Sequence, residues 1–152
     1  MSNFKVLTIQ NLEEITNLEE SKIKNLDEIE RMNLVWKAAW RPESLEHYLK
    51  TGWCIGMYDE KEALKAYFLA QPILFMESLT QTLWIEYLSY TDQETGLKLL
   101  DFAYKYGRDK HLQRVLFNKD SIFDSLDEKV QLPFKIANQT KNYLEVYTTK
   151  IV

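Results

Sequence analysis

One carboxylate stands in an otherwise apolar run: Glu86, within Thr82-Leu-Trp-Ile-Glu-Tyr-Leu-Ser-Tyr90. A lone carboxylate in an apolar strand is a candidate for proton-transfer work, which needs reach to the proton. The other reading is a solvated strand face, or a partner for a nearby Lys or Arg. Directly after it, Thr91-Asp-Gln93-Glu-Thr-Gly96-Leu97-Lys98 turns the chain into an amphipathic helical pattern, and Arg114-Val-Leu-Phe-Asn118 follows as a second apolar run. Such a strand–turn–helix–strand unit aims backbone N–H groups past the first strand's C-terminal end, where an anion such as a pyrophosphate is a natural occupant. Gly96, with Leu97 and Lys98, is the candidate nest; a plain turn before a helix is the alternative. Asn118 ends the second run, as a ligand contact or as a turn residue.

Composition removes other chemistries. Cys54 is the only cysteine and His47 and His111 the only histidines, which leaves no intrachain disulfide and no Cys-based zinc site. No His or basic cluster beside Cys54 marks an activated thiol. The formal net charge is −4 with no run of Lys or Arg, which argues against nucleic acid as a partner. No window reaches the roughly 18 apolar residues of a membrane span, and Met1-Ser-Asn-Phe-Lys-Val lacks the pattern of a secretory signal. The expectation is a cytoplasmic protein whose 152 residues form one domain.

Around the central unit the pattern predicts a strand over Phe4–Ile9, then a helix opened by a capping box, Asn11-Leu-Glu-Glu14. A second start signal, Asn25-Leu-Asp-Glu28, implies two helices, or one broken near Asn25, over residues 11–40, with Ile29, Met32 or Asn33, Trp36 and Trp40 as the later stripe. Aromatic residues at such spacing are usually core, so Trp36, Trp40 and Trp53 read first as packing and second as lining for an acceptor groove. A short helix over 43–50 stops at Thr51-Gly52. Strands are predicted at Trp53–Tyr58 and Ala63–Gln71, joined by Asp59–Glu62. Pro72 marks a bulge, an edge or the strand's end, and Met76–Gln81 turns the chain. In the helix after Gly96, Asp101 and Lys105 form a favourable ion pair, and Gly107 is placed for a left-handed stop. Ser121–Val130 predicts another helix, with Ile122, Phe123, Leu126 and Val130 spaced for burial, and Tyr143–Ile151 a last strand.

This order of elements resembles the GNAT superfamily of acyl-CoA-dependent N-acyltransferases. Trp84-Ile-Glu-Tyr-Leu88 is similar to the family's fourth strand, Gly96-Leu-Lys-Leu-Leu100 to the start of its third helix, Arg114-Val-Leu-Phe-Asn118 to its fifth strand, and Leu132-Pro-Phe134 to a segment before the final strands. The resemblance implies an α/β fold of mixed α+β type: a central mixed, mostly antiparallel sheet of six to seven strands with helices on both faces. It also implies acetyl-CoA as co-substrate, with an amine attacking its thioester directly. The family's pyrophosphate loop is Arg/Gln-x-x-Gly-x-Gly/Ala. Gln93-Glu-Thr-Gly96-Leu-Lys98 matches the glutamine and the first glycine and has lysine last. A shifted register keeps Gly96 as the last glycine, with Glu94 at the first and Thr91 at the Arg/Gln position. The resemblance implies Glu86 as the base. It gives Gln93, Gly96, Leu97 and Lys98 to the pyrophosphate, and Leu88, Tyr90 and Asn118 to the cofactor arm, across strands that splay apart. The family's acid tyrosine has no match; Asp124 and Ser125 fall near its place. The acceptor is a small-molecule or peptide amine, and a homodimer is left open. The alternative is a catalytically inactive GNAT-fold module for binding or dimerisation, which the altered loop and acidic turn favour. A third is an unrelated α/β ligand-binding domain.

Overall fold

The computed structural model describes residues 3–76, 79–119 and 131–148. Among them, seven strands form one sheet in the order β1-β2-β3-β4-β5-β7-β6. They are β1 Asn3–Val6, β2 Ile55–Tyr58, β3 Leu64–Met76, β4 Leu79–Ser89, β5 Arg114–Asn118, β6 Asn138–Gln139 and β7 Tyr143–Tyr147. Every neighbouring pair is antiparallel except β4 with β5, which is parallel. Helix α4 (Gln93–Asp109) makes the crossover between those two. A parallel pair cannot be joined by a tight turn, so a crossover is required there. The predicted mixed sheet with helices on both faces is therefore present.

The two faces carry separate cores. Phe68, Leu83, Ile85, Leu88, Val115 and Phe117 face Leu99, Leu100 and Ala103 of α4. On the opposite face, Cys54, Tyr67 and Leu69 pack with Ile15 of α1 (Leu12–Lys22) and Leu45 and Leu49 of α3 (Pro42–Leu49). Between these helices lies α2 (Glu28–Lys37), with no buried residue. Its break from α1 falls where Asn25 predicted it, and Asp27 caps it by accepting from the Glu30 amide at 2.8 Å. The expected packing stripe is not buried, however. Ile29, Met32 and Trp36 are each about two-thirds exposed or more, whereas Trp40, just beyond the helix, is buried.

Several boundaries move for local reasons. β1 stops at Val6, short of Ile9, because Leu7 turns into the core and its amide bonds the Cys54 carbonyl at 2.8 Å. The reciprocal cap then forms between Thr8 and Asn11, not Asn11 and Glu14. The Thr8 amide donates to Asn11 Oδ1 at 2.8 Å, and the Thr8 hydroxyl accepts from the Gln10 amide at 3.3 Å. Strand β3 runs through Pro72 to Met76. That is permitted because β2 pairs with β3 only up to Phe68, so Pro72 lies where β3 has become an edge on that side. The chain reversal after it is shorter than predicted, since β4 begins at Leu79.

Gly107 does not stop α4. It sits inside the helix, and a Cβ there would meet Val115 Cγ2 at 2.7 Å, so its role is close approach of helix to sheet. The left-handed residue past the helix end is His111, at φ 62°. The Asp101–Lys105 pair forms as expected, at 2.8 Å. The short strand β6 was not foreseen. The helix predicted over residues 121–130, with Asp124 and Ser125, lies outside the described residues, as does the end of the last predicted strand. No helix among the described residues is long and apolar enough to cross a membrane.

Candidate active site

Strands β4 and β5 pair only from Thr82 with Arg114 to Ile85 with Phe117. Beyond that point β4 continues as Glu86–Ser89, held by β3 alone. The cause is local. On β3, Ala70 opposes Ile85 and Leu69 opposes Tyr87, so Glu86 is the extra residue of a β-bulge. A bulge bends its strand and sharpens the twist, which carries β4 away from β5 and opens a gap between them. It also breaks the alternation of faces. Ile85 and Leu88 belong to the core under α4 and Tyr87 packs with the other core. Glu86 lies with Tyr87 on that second side, where both line one cleft.

The cleft is about 690 Å³ and runs between α1, α2 and the β4–β5 gap. Asn118, the last residue of β5, lines it opposite Glu86, with Trp36, Trp40 and Ala38 on the helical side. The Glu86 carboxylate is not loose. The Trp84 indole Nε1–H donates to Glu86 Oε2 at 2.6 Å, and the Trp84 ring is steadied edge-on by Tyr143 at 6.4 Å. Tyr48 of α3 completes this corner. Its hydroxyl is pushed up to about 12, first by burial and then by the negative charge of Glu86 beside it. It therefore stays protonated at neutral pH.

A second carboxylate, Glu19 of α1, borders the same cleft but is only 3% exposed. Ser89 Oγ donates to Glu19 Oε1, and Tyr87 donates to Oε2 at 3.5 Å. Lys22 Nζ lies 3.4 Å from Glu19 Oε1 and donates to Ser89 Oγ at 2.5 Å. Burial, then the Glu19 charge, raises the Tyr87 hydroxyl, and the same two causes raise that of Tyr67. This network pins α1 to the end of β4 beyond the bulge.

At the other side of the gap, α4 begins. Asp92 caps it: its carboxylate accepts from the Thr95 amide at 2.8 Å, and its carbonyl accepts from the Gly96 amide at 3.0 Å. The Thr95 amide holds the Asp92 carboxyl below the usual carboxylate range. The amides of Gln93 and Glu94 remain as first-turn donors for a ligand. Gly96 is set by packing as well, since a Cβ there would lie 2.8 Å from the Tyr90 ring. The adjoining hollow, about 350 Å³, is lined by Asp59, Asp92 and Glu94 and by Lys65 and Lys98. Lys98 reaches Glu94 at 3.4 Å and Lys65 reaches Asp59 at 3.6 Å, leaving Asp92 the carboxylate there without an ion-pair partner among the described residues.

No protein-family model matches the chain, and no curated protein matches its sequence. Solved structures do match. A GNAT-family acetyltransferase from Listeria monocytogenes superposes with TM-score 0.63 at 8% identity, over 96% of this chain and 93% of that one. The PaiA N-acetyltransferase of Thermoplasma acidophilum, solved in complex with coenzyme A, gives 0.60 at 12% identity, over 95% and 97% of the two chains. The chain has the GNAT fold. A Drosophila melanogaster polyamine N-acetyltransferase, which catalyses formation of N-acetylagmatine, gives 0.61 at 13% identity over 97% and 98%.

Within this GNAT fold the residues singled out from the sequence fall into two groups. Glu86 and Asn118 share the cleft at the parted strands. Gln93, Gly96, Leu97 and Lys98 form the first turns of α4. Leu88 and Tyr90 lie between them, Leu88 still paired with Phe68 of β3 and Tyr90 stacked on Gly96. Sequence reasoning missed Trp84, Tyr48, Glu19 and Ser89. The first had a signal: Trp84 stands two residues before Glu86, which on a strand means the same face. Glu19 and Tyr48 are brought in by α1 and α3 from far along the chain, and Ser89, at the end of β4, is marked only by its bond to Glu19.

Proposed function

We propose that this protein is an N-acyltransferase that moves an acetyl group from acetyl-CoA to an amine held in the Glu86 cleft. The observation that carries this is the parting of β4 from β5 at a bulge whose extra residue is a fixed carboxylate. The exposed strand edges beyond Ile85 offer backbone groups at Leu88 and Tyr90 to the extended arm of coenzyme A, as an added strand would be received. The amides of Gln93 and Glu94 at the start of α4 suit its pyrophosphate, with Gly96 keeping the turn tight and Lys98 adding positive charge.

The amine nitrogen forms a bond to the thioester carbonyl carbon. The C–S bond breaks, the amine's proton passes to Glu86 directly or through water, and the leaving thiolate takes a proton from solvent. No covalent enzyme intermediate is needed. Alignment of the two substrates and removal of the proton are the protein's contributions. The N-acetyltransferase neighbours, among them one acting on a polyamine, support an amine as the acceptor.

A second reading has its own observation. Asp92 already occupies the Thr95 amide, and three carboxylates surround the start of α4. On that reading the fold persists as a binding or dimerising module without acyl transfer. Isothermal titration with acetyl-CoA separates the two. Measurable heat and a rise in melting temperature are expected; silence in both at millimolar ligand defeats the enzymatic reading.

A further inference from the structure

The Glu86 cleft contains two carboxylates and two ammonium groups: Glu19 and Glu86, Lys22 and Lys37. Their pairing decides what a ligand would meet. Glu19 is buried, bridged to Lys22, and receives hydroxyls from Ser89 and Tyr87, so its charge and its lone pairs are spent. Glu86 alone faces the cleft without a cationic side chain bonded to it among the described residues. Lys37 stands exposed at the rim. A ligand's first cation therefore finds Glu86, and a second finds two ammonium groups. Ser44 and Asn118 add neutral polar groups, and the rest of the lining is apolar, with Trp36, Trp40 and Tyr87 as ring walls.

From this we infer that the acceptor is a primary amine carried on an apolar, ring-bearing body with no second cationic group, and that the cleft selects against polyamines. The inference rests on the acyl-transfer reading for the amine's fate, but the selection itself is a property of the cleft. Aromatic walls reward a ring by stacking and a single ammonium by its attraction to ring faces. A dication's second ammonium would meet Lys22, already bound to Glu19 and Ser89, and Lys37, and so would gain like-charge neighbours in place of a partner.

Two measurements on the intact protein test it. The first is calorimetric binding of 2-phenylethylamine against spermidine and agmatine. Phenylethylamine is expected to bind at least ~10-fold tighter, and Trp36→Ala, at a position 68% exposed and so dispensable for folding, to weaken it about 5-fold. Lys22→Met should raise spermidine affinity by exposing the Glu19 charge. Equal or tighter binding of spermidine by the unaltered protein overturns the inference, as does failure of all three amines to bind at millimolar concentration. The second measurement is release of free thiol from acetyl-CoA with the same amines. Phenylethylamine that binds selectively yet releases no thiol overturns acyl transfer while leaving the cleft's preference in place.

Discussion

One Glu86 oxygen is tied to an indole N–H on its own strand, which fixes the carboxylate's direction at little entropic cost. If that carboxylate takes the amine's proton, Glu86→Gln removes the acceptor and keeps the shape. Thiol release should fall about 10²- to 10⁴-fold, with acetyl-CoA affinity and melting temperature unchanged. Trp84→Phe tests the tether separately. The ring against Tyr143 is preserved and only the N–H is lost. Turnover is expected to drop roughly 10-fold with little change in the KM for acetyl-CoA, and a Trp84→Phe enzyme as fast as the parent would show that the indole merely packs. Cys54 belongs at this scale too. It is buried, and burial pushes its thiol up to about 11, which agrees with its reading as an inert strand residue.

The start of α4 shows how one element can serve two demands. Asp92 is a good cap, but its charge sits where a phosphate would arrive. Serine caps nearly as well without the charge. Asp92→Ser should therefore tighten acetyl-CoA binding about 3- to 10-fold by titration, with a melting temperature nearly unchanged; weaker binding would mean that α4 does not receive the pyrophosphate. At the other end of the same helix, Gly107→Ala sets helix propensity against packing. Propensity gains about 1 kcal/mol, whereas overpacking against a stiff, fully buried valine costs about 1–3 kcal/mol. A net loss in chemical denaturation is expected. Element existence was legible because periodicity is local: the helix break near Asn25 and the Asp101–Lys105 pair both formed where their positions implied, although the cap of α2 is Asp27 and not Asn25. Gly107 was misread because a stop glycine and a close-packing glycine look alike until the opposing strand is known. The α2 stripe was misread because period alone does not say whether anything lies opposite it.

For the molecule as a whole, four strands are tied at the end of the sheet away from the gap. Arg114 of β5, 1% exposed, donates to Glu145 of β7, to Thr82 of β4 at 2.9 Å and to the Met76 carbonyl of β3 at 3.3 Å. Glu145→Ala removes the buried carboxylate that Arg114 donates to and should cost about 3 kcal/mol, a fall of about 10 °C in melting temperature, without altering the cleft. A variant that melts with the parent would show the pair to be dispensable. The mixed sheet with helices on both faces was legible through the family resemblance, while the second core was not, because Tyr67 and Leu69 are covered by helices whose packing no local pattern shows. The cleft could be read only in part, because Glu19, Tyr48 and Ser89 meet through contacts far apart in sequence. The bulge at Glu86 has one more consequence. A pleated chain counts in twos, and here the count is odd by one. Excising Glu86 would restore even parity while Tyr87 and Ser89 kept their side, take the carboxylate away, and let the neighbouring strand zip closed over the opening, so the whole working geometry hangs on a surplus of one.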